Sequence, residues 1–183
     1  MRIIAGAWRG RNIVAPKGDA TRPTADRTRE ALFSMLTSRL GDFVGLSVAD
    51  LFAGSGALGL EALSRGAESC LFVEHDKPAL DSLRANIAKL GAKADVRAQS
   101  VLTLGPAAKP YDLILLDPPY ATGAGVVALE RLNRLGWIGP ATWISLETAA
   151  DEEPKVRSLE AVADRKVGKA RLTLLRASGA APG

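Results

Sequence analysis

The stretch that most constrains this chain runs from Leu46 to Gly66, LSVADLFAGSGALGLEALSRG. An apolar run ends at Asp50-Leu51-Phe52, a small-residue turn follows at Ala53-Gly54-Ser55-Gly56, and an amphipathic helical pattern continues from Leu58 to Arg65. This reads as strand, tight turn, helix. Glycine accepts positive φ and puts no Cβ between the backbone and a ligand. The first N–H groups of a helix have no intrahelical partner and face whatever sits at the turn. The spacing Gly54-x-Gly56-x-x-Gly59 is that of a nucleotide-binding turn, although glycines also serve such turns for steric reasons alone. Glu74 closes the next apolar run, Ser69–Glu74. An acid at the end of a second strand is placed to hold a ribose hydroxyl pair; the plainer reading is an exposed strand-end acid.

From Leu46 onward the pattern alternates. Strands are predicted over Leu46–Phe52, Ser69–Glu74, Asp95–Ala98, Tyr111–Asp117 and Thr142–Glu147, with helices over Ala57–Arg65, Pro78–Leu90 and Gly125–Leu135. Repeated βα units imply a mostly parallel sheet covered on both faces. Glu160–Val167 and Ala170–Arg176, turned at Gly168-Lys169, predict a terminal hairpin that inserts an antiparallel strand. Ligands of such sheets bind at the carboxyl ends of the strands, here Phe52-Ala53-Gly54, Glu74, Ser100 and Asp117.

Ahead of this core, Met1–Val14 reads as a short hairpin and Pro16–Pro23 as a loop. A helix is expected from about Ala25, capped by Thr24 and buried through Leu32, Met35, Leu36 and Leu40, with Gly41 as its stop. Residues 1–41 carry eight Lys/Arg against three Asp/Glu, a net of +5. The remaining residues carry 16 against 17, a net of −1. A basic arm on a neutral body suggests a polyanionic partner, against the simpler view of a solvated basic face. Trp8, Arg9, Arg11, Arg22, Arg27 and Arg29 are the candidate contacts, Trp8 because an aromatic plane among cations suits stacking on RNA. Trp8 serves equally well as a cover for the hairpin's apolar face. The expected division is 1–41 as the arm, 42–176 as the core and 177–183 as a disordered small-residue tail.

Composition excludes several classes. A single cysteine, Cys70, permits no disulfide framework, and a reducing cytoplasm is the expected setting. The lone His75 leaves no histidine cluster, and no metal is expected. No apolar run approaches a membrane span, and the arginine-bearing N-terminus does not read as a signal peptide.

The chemistry resides in Asp117-Pro118-Pro119-Tyr120, directly after a buried strand. Two prolines end a central ladder and leave carbonyls without strand partners. A carboxylate, a free carbonyl and an aromatic face together suit a planar base bearing an amino group. The amine protons donate to Asp117 and the Pro118 carbonyl, and Tyr120 stacks on the ring, worth roughly 1–3 kcal/mol. A rigid strand-ending turn with Tyr120 on the surface is the alternative for this tetrapeptide taken alone.

The glycine turn, the strand-end acid and Asp117-Pro118-Pro119-Tyr120, in this order, resemble class I S-adenosylmethionine-dependent methyltransferases that act on exocyclic amines. The arm, Thr21-Arg22-Pro23-Thr24-Ala25-Asp26-Arg27-Thr28-Arg29-Glu30-Ala31-Leu32-Phe33, resembles the RPTxDRxREALF signature of the RsmD family, bacterial guanine-N2 methyltransferases of small-subunit ribosomal RNA. The resemblance runs from the first residues to the final hairpin. It implies a Rossmann-like α/β fold: a mostly parallel seven-stranded sheet with an antiparallel C-terminal strand and an N-terminal β-hairpin extension. It implies S-adenosylmethionine, released as S-adenosylhomocysteine, with Asp50, Phe52, Ala53, Gly54, Gly56, Glu74, His75, Ser100, Val101 and Asp117 around it. Gly54 and Gly56 would face the methionine part, Glu74 the ribose, and Ser100 and Val101 the adenine. Ser100 stands where the family often has Asp or Asn, and the hairpin at Lys166–Ala170 is atypical. Asp117, Pro118, Pro119 and Tyr120 would hold a flipped-out base for direct methyl transfer. The implied partner is 16S ribosomal RNA, naked or in a small-subunit particle, met by a monomer away from membranes. The rivals are an adenine-N6 methyltransferase acting on RNA or DNA, a nicotinamide-dependent dehydrogenase and a non-catalytic assembly factor.

Overall fold

A computed structural model describes residues 1–15 and 23–179 of the chain. Helix α1 spans Pro23–Leu40, followed by β1 (Ser47–Leu51), α2 (Ala57–Ser64), β2 (Ser69–Glu74), α3 (Lys77–Leu90), β3 (Asp95–Ala98), a 3-10 turn (Val101–Thr103), β4 (Leu113–Leu116), α4 (Ala124–Arg134), β5 (Trp143–Ala149), β6 (Leu159–Val167) and β7 (Ala170–Ala177). The seven strands form one sheet in the order β3-β2-β1-β4-β5-β7-β6. The first five are parallel; β7 runs antiparallel between β5 and β6. The expected α/β sheet, with its C-terminal antiparallel strand, is what the chain forms.

Each central strand alternates its side chains between two cores, as a two-residue period requires. Val48, Leu113 and Leu115 join a cluster with Ile3, Ile13, Leu32, Phe33 and Leu36. Ala49, Leu51, Ile114 and Leu116 face the other side, against Leu129, Leu132 and Trp137. The N-terminal residues and α1 therefore share the core of the sheet.

Several boundaries move. α1 begins at Pro23 rather than near Ala25, since proline fits the first helical position, where its missing N–H is not needed. Thr24 thus lies inside the helix and is not its cap. β4 is shorter than Tyr111–Asp117: Tyr111 N–H donates to the Trp137 carbonyl and Asp112 N–H to the Ser47 carbonyl, while the prolines end the ladder after Leu116. The N-terminal hairpin is a single bridge, Arg2 to Asn12. Residues 177 and 178, expected in the tail, are ordered: Ala177 of β7 pairs with Leu159 of β6, and Ser178 N–H donates to the Ser158 carbonyl. Residues 180–183 lie outside the described residues.

Candidate active site

Strand register gathers the site. Leu51 is paired with Val73 on one side and Leu116 on the other, and Leu116 with Leu146. One step further along, Phe52, Glu74, Asp117 and Glu147 form a row across the carboxyl edge of β1, β2, β4 and β5. The strand order reverses between β1 and β4, and such a switch point opens a crevice. The glycine turn and Asp117–Tyr120 flank it.

The turn begins with strain. Phe52 sits at φ 58, a left-handed conformation unfavourable for a bulky residue and concentrated at functional sites. The glycines divide their work. Gly54 (φ 57) has open space where a Cβ would stand, so the backbone is bare to the crevice. Gly56 (φ 85) is turned inward; a Cβ there would lie 2.5 Å from Leu83 Cδ1. Gly59 brings α2 against β2, and its Cβ would lie 2.4 Å from the Phe72 ring and 2.7 Å from Cys70 Sγ.

Two carboxylates brace this turn. Asp50 is 1% exposed and accepts the Gly59 N–H at 2.9 Å. Burial raises its pKa well above the usual carboxylate range, partly opposed by that bond and reinforced by Asp117 and Glu74. Glu74 accepts three backbone N–H groups, from Gly54 at 2.8 Å and from His75 and Asp76 at 2.9 Å each. A carboxylate has about four acceptor positions, so one remains for a ligand hydroxyl. His75 is exposed, with Nδ1 3.8 Å from Glu74. Ala53 is buried and donates its N–H to the Val73 carbonyl. Ser100 caps the 3-10 turn by accepting from Leu102 N–H, and Val101 is buried in the second core.

These placements correct parts of the sequence reading. Asp50 and Val101 do not present side chains to the crevice, and Gly56 packs against the protein. They support the site from behind, whereas Gly54 and Glu74 face it.

Across the crevice, Asp117 opens to solvent on one side but is set among protein on the others. This burial, and the neighbouring Glu147 carboxylate, push its pKa up. No hydrogen bond reaches the Pro118 carbonyl among the described residues. Tyr120 is 43% exposed, and its hydroxyl donates to Glu147 Oε2 at 2.7 Å. Partial burial and that bond raise the phenol pKa, keeping the hydroxyl a donor. The next residue, Ala121, is left-handed (φ 60) and is held by Glu152, which accepts its N–H at 2.6 Å. A cavity of about 310 Å³ opens beside Pro118 and Pro119, walled by Gly125, Leu146 and Glu147. Sequence reasoning missed Glu147, although it closes the predicted strand Thr142–Glu147 as Glu74 and Asp117 close theirs; β5 itself continues to Ala149.

The arm is docked rather than free. Glu61, 0% exposed on α2, accepts the N–H groups of Ile4 at 2.9 Å and Ala5 at 3.0 Å. Ser64 accepts from Trp8 N–H and donates to the Ala5 carbonyl. On α3, buried Asn86 accepts from Val14 N–H and donates to the carbonyls of Val14 and Ser55, so one side chain touches both the arm and the glycine turn. Arg29 is only 4% exposed; it binds the Arg2 carbonyl and Asp26 and lies 3.6 Å from Glu61. Its assignment to RNA is therefore corrected: it is a buried strut. Arg9, Arg11 and Arg27 are exposed, and Trp8 is half-buried against the first core. Arg22 lies outside the described residues. Among the described residues no group of His, Cys, Asp and Glu could hold a metal ion, and no helix is long and apolar enough to cross a membrane.

Comparison with known proteins agrees with this architecture. The solved structure of Escherichia coli YhhF superposes with a TM-score of 0.83 at 31% identity, covering 97% of each chain. Magnesium protoporphyrin IX methyltransferase from Synechocystis, solved with bound SAM, shares the fold at 13% identity (TM-score 0.64, 87% of each chain). The Ribosomal RNA small subunit methyltransferase D of Escherichia coli K12 is 37% identical over 153 residues, 82% of this chain and 76% of that one. A family model described as "Conserved hypothetical protein 95" matches residues 1–176. By that match and that identity, the chain belongs to the RsmD family.

Proposed function

We propose that this protein transfers a methyl group from S-adenosylmethionine to the exocyclic N2 amine of a guanine in small-subunit ribosomal RNA. The observation that carries the reading is the row of strand ends. A bare glycine backbone and a ribose-compatible acid stand beside a carboxylate, an unpaired carbonyl and an aromatic face. The names of the relatives support ribosomal RNA as the substrate, and a fold neighbour solved with the same donor supports the cofactor.

The residues fit the donor: Gly54 leaves space for its amino-acid part, and Glu74 keeps an acceptor position for its ribose. When bound, S-adenosylmethionine supplies an electrophilic methyl group. This chain does the rest. Asp117 and the Pro118 carbonyl accept the amine protons, which holds the nitrogen lone pair toward the methyl. Proximity and alignment of this kind are worth on the order of 7–11 kcal/mol. Asp117 positions the amine rather than acting as a strong base; the methylated nitrogen, acidic once it carries the new bond, sheds its extra proton to that carboxylate or to solvent. Tyr120 stacks on the base, its ring fixed by Glu147.

The test is incubation with methyl-labelled donor and either 16S RNA or isolated small-subunit particles, followed by nucleoside mass spectrometry. N2-methylguanosine is expected. N6-methyladenosine would favour the adenine reading, and no transfer to either substrate would overturn both.

A further inference from the structure

Glu147 stands beside Asp117 one step past the last β4–β5 pair, Leu116 with Leu146, where neighbouring strands lie about 4.8 Å apart. Its Oε2 is occupied by the Tyr120 hydroxyl, and its Oε1 has no hydrogen-bond partner among the described residues. The side chain lines the 310 Å³ cavity next to Pro118 and Pro119, a size at the lower end of small-ligand sites. A half-buried carboxylate with one oxygen anchored and the other vacant is a directed acceptor without a donor. Burial pushes its pKa up, as it does that of Asp117. A ligand edge rich in N–H groups would relieve both.

Flipped-out bases are read on their Watson–Crick edge. On that edge guanine presents a ring N1–H directly beside its amine, two adjacent donor groups. Adenine presents its amine beside a ring N1 that only accepts. A second acceptor next to the one holding the amine therefore attracts guanine and leaves adenine facing a lone-pair clash.

We propose that Glu147 is the specificity-determining residue for guanine: Oε2 fixes the Tyr120 ring while Oε1 accepts the N1–H of the target base, alongside the amine held by Asp117. This rests on the guanine-amine reading above and adds to it the group that reads the base.

The test uses RNA carrying 2-aminopurine in place of the target guanine. That base keeps the 2-amine but has no N1–H, and its N1 is an acceptor. The wild type is expected to favour guanine in kcat/KM. Glu147→Gln, whose oxygen still accepts from Tyr120 while its amide donates to N1, is expected to narrow that preference on the order of ten- to a hundredfold. Tyr120→Phe removes the hydroxyl but not the acceptor, so it should slow both RNAs alike. An unchanged preference in Glu147→Gln, with the variant shown to be folded by its melting curve, overturns the proposal. So does a Tyr120→Phe variant that narrows the preference equally, because Glu147 would then only hold the ring. Failure of the wild type to methylate guanine RNA would instead sink the underlying reading, and is seen without any variant.

Discussion

Replacing Glu61 by alanine removes a carboxylate that is 0% exposed, accepts from three donors, Ile4 N–H, Ala5 N–H and Arg65 Nε at 3.0 Å, and is ion-paired with Arg29 at 3.6 Å. Their losses are unequal. The Arg65 side chain retains 17% exposure and a position over the Phe33 ring, so it recovers by turning to water. Arg29 keeps Asp26 and the Arg2 carbonyl but loses the buried opposite charge. Breaking a buried ion pair by removing one partner costs about 3–5 kcal/mol, and an orphaned N–H costs about 1–3 kcal/mol. These do not simply add, because the first residues can lift off and rehydrate once their anchor is gone. The expected global loss is therefore about 3–5 kcal/mol. For a chain of this size that lowers Tm by roughly 6–20 °C. Urea unfolding measures the first quantity, and hydrogen exchange at Ile4 and Ala5 reports whether the arm has detached. Glu61→Gln, which keeps an acceptor but loses the charge, should fall between the two. A loss under about 1 kcal/mol with both amides still protected would refute the claim that Glu61 anchors the arm.

Four other outcomes are expected. Asp50 has a raised folded-state pKa, so it contributes stability that is complete below the ordinary carboxylate pKa of about 4 and is lost as pH rises toward the folded value. The stability of the wild type relative to Asp50→Asn should then fall with rising pH in urea titrations; a flat difference would contradict the assignment. Gly59→Ala forces a Cβ into the Phe72 ring and should destabilise by about 1–3 kcal/mol. Gly54→Ala meets no atoms, and its expected effect is weaker donor binding by calorimetry with a smaller stability loss, set by the positive φ. Neutralising exposed Arg9, Arg11 and Arg27 should weaken RNA binding and lower the salt slope by about 2 for a single-stranded contact, whereas Arg29→Ala should act on the melting curve. A salt slope unchanged by the triple variant would place the RNA elsewhere.

The sheet and its helices were legible because each βα unit carries its own punctuation. α3 shows this: Asp76 caps it, Pro78 sits in its first turn and Gly91 ends it in the left-handed conformation. Glu74 and Asp117 were legible because a strand end followed by a turn can be read locally. What escaped was set by distance in sequence. Arg29 looks like any other arginine of a basic arm, and its burial depends on Glu61, an acid in the middle of a helix 32 residues later. Asn86 gives no local hint that it will join Val14 to Ser55. Asp50 lies inside β1 and Val101 opens the 3-10 turn after β3; that both are buried follows from packing that no local motif encodes. Glu147 gives a weaker signal, because β5 runs on to Ala149 and no glycine or proline directly after it marks a turn.

Acids gather toward the carboxyl edge of this sheet: the charges of Asp117 and Glu74 help raise the pKa of Asp50, and that of Glu147 helps raise the pKa of Asp117. A rim of acids with no basic side chain among them offers a phosphodiester no counter-charge. The exposed Arg9, Arg11 and Arg27 belong to the N-terminal residues and α1, outside that row. Under the proposed function, attraction and chemistry fall to separate surfaces: the sugar–phosphate chain would be kept at the door, and only an uncharged ring swung clear of it would be admitted.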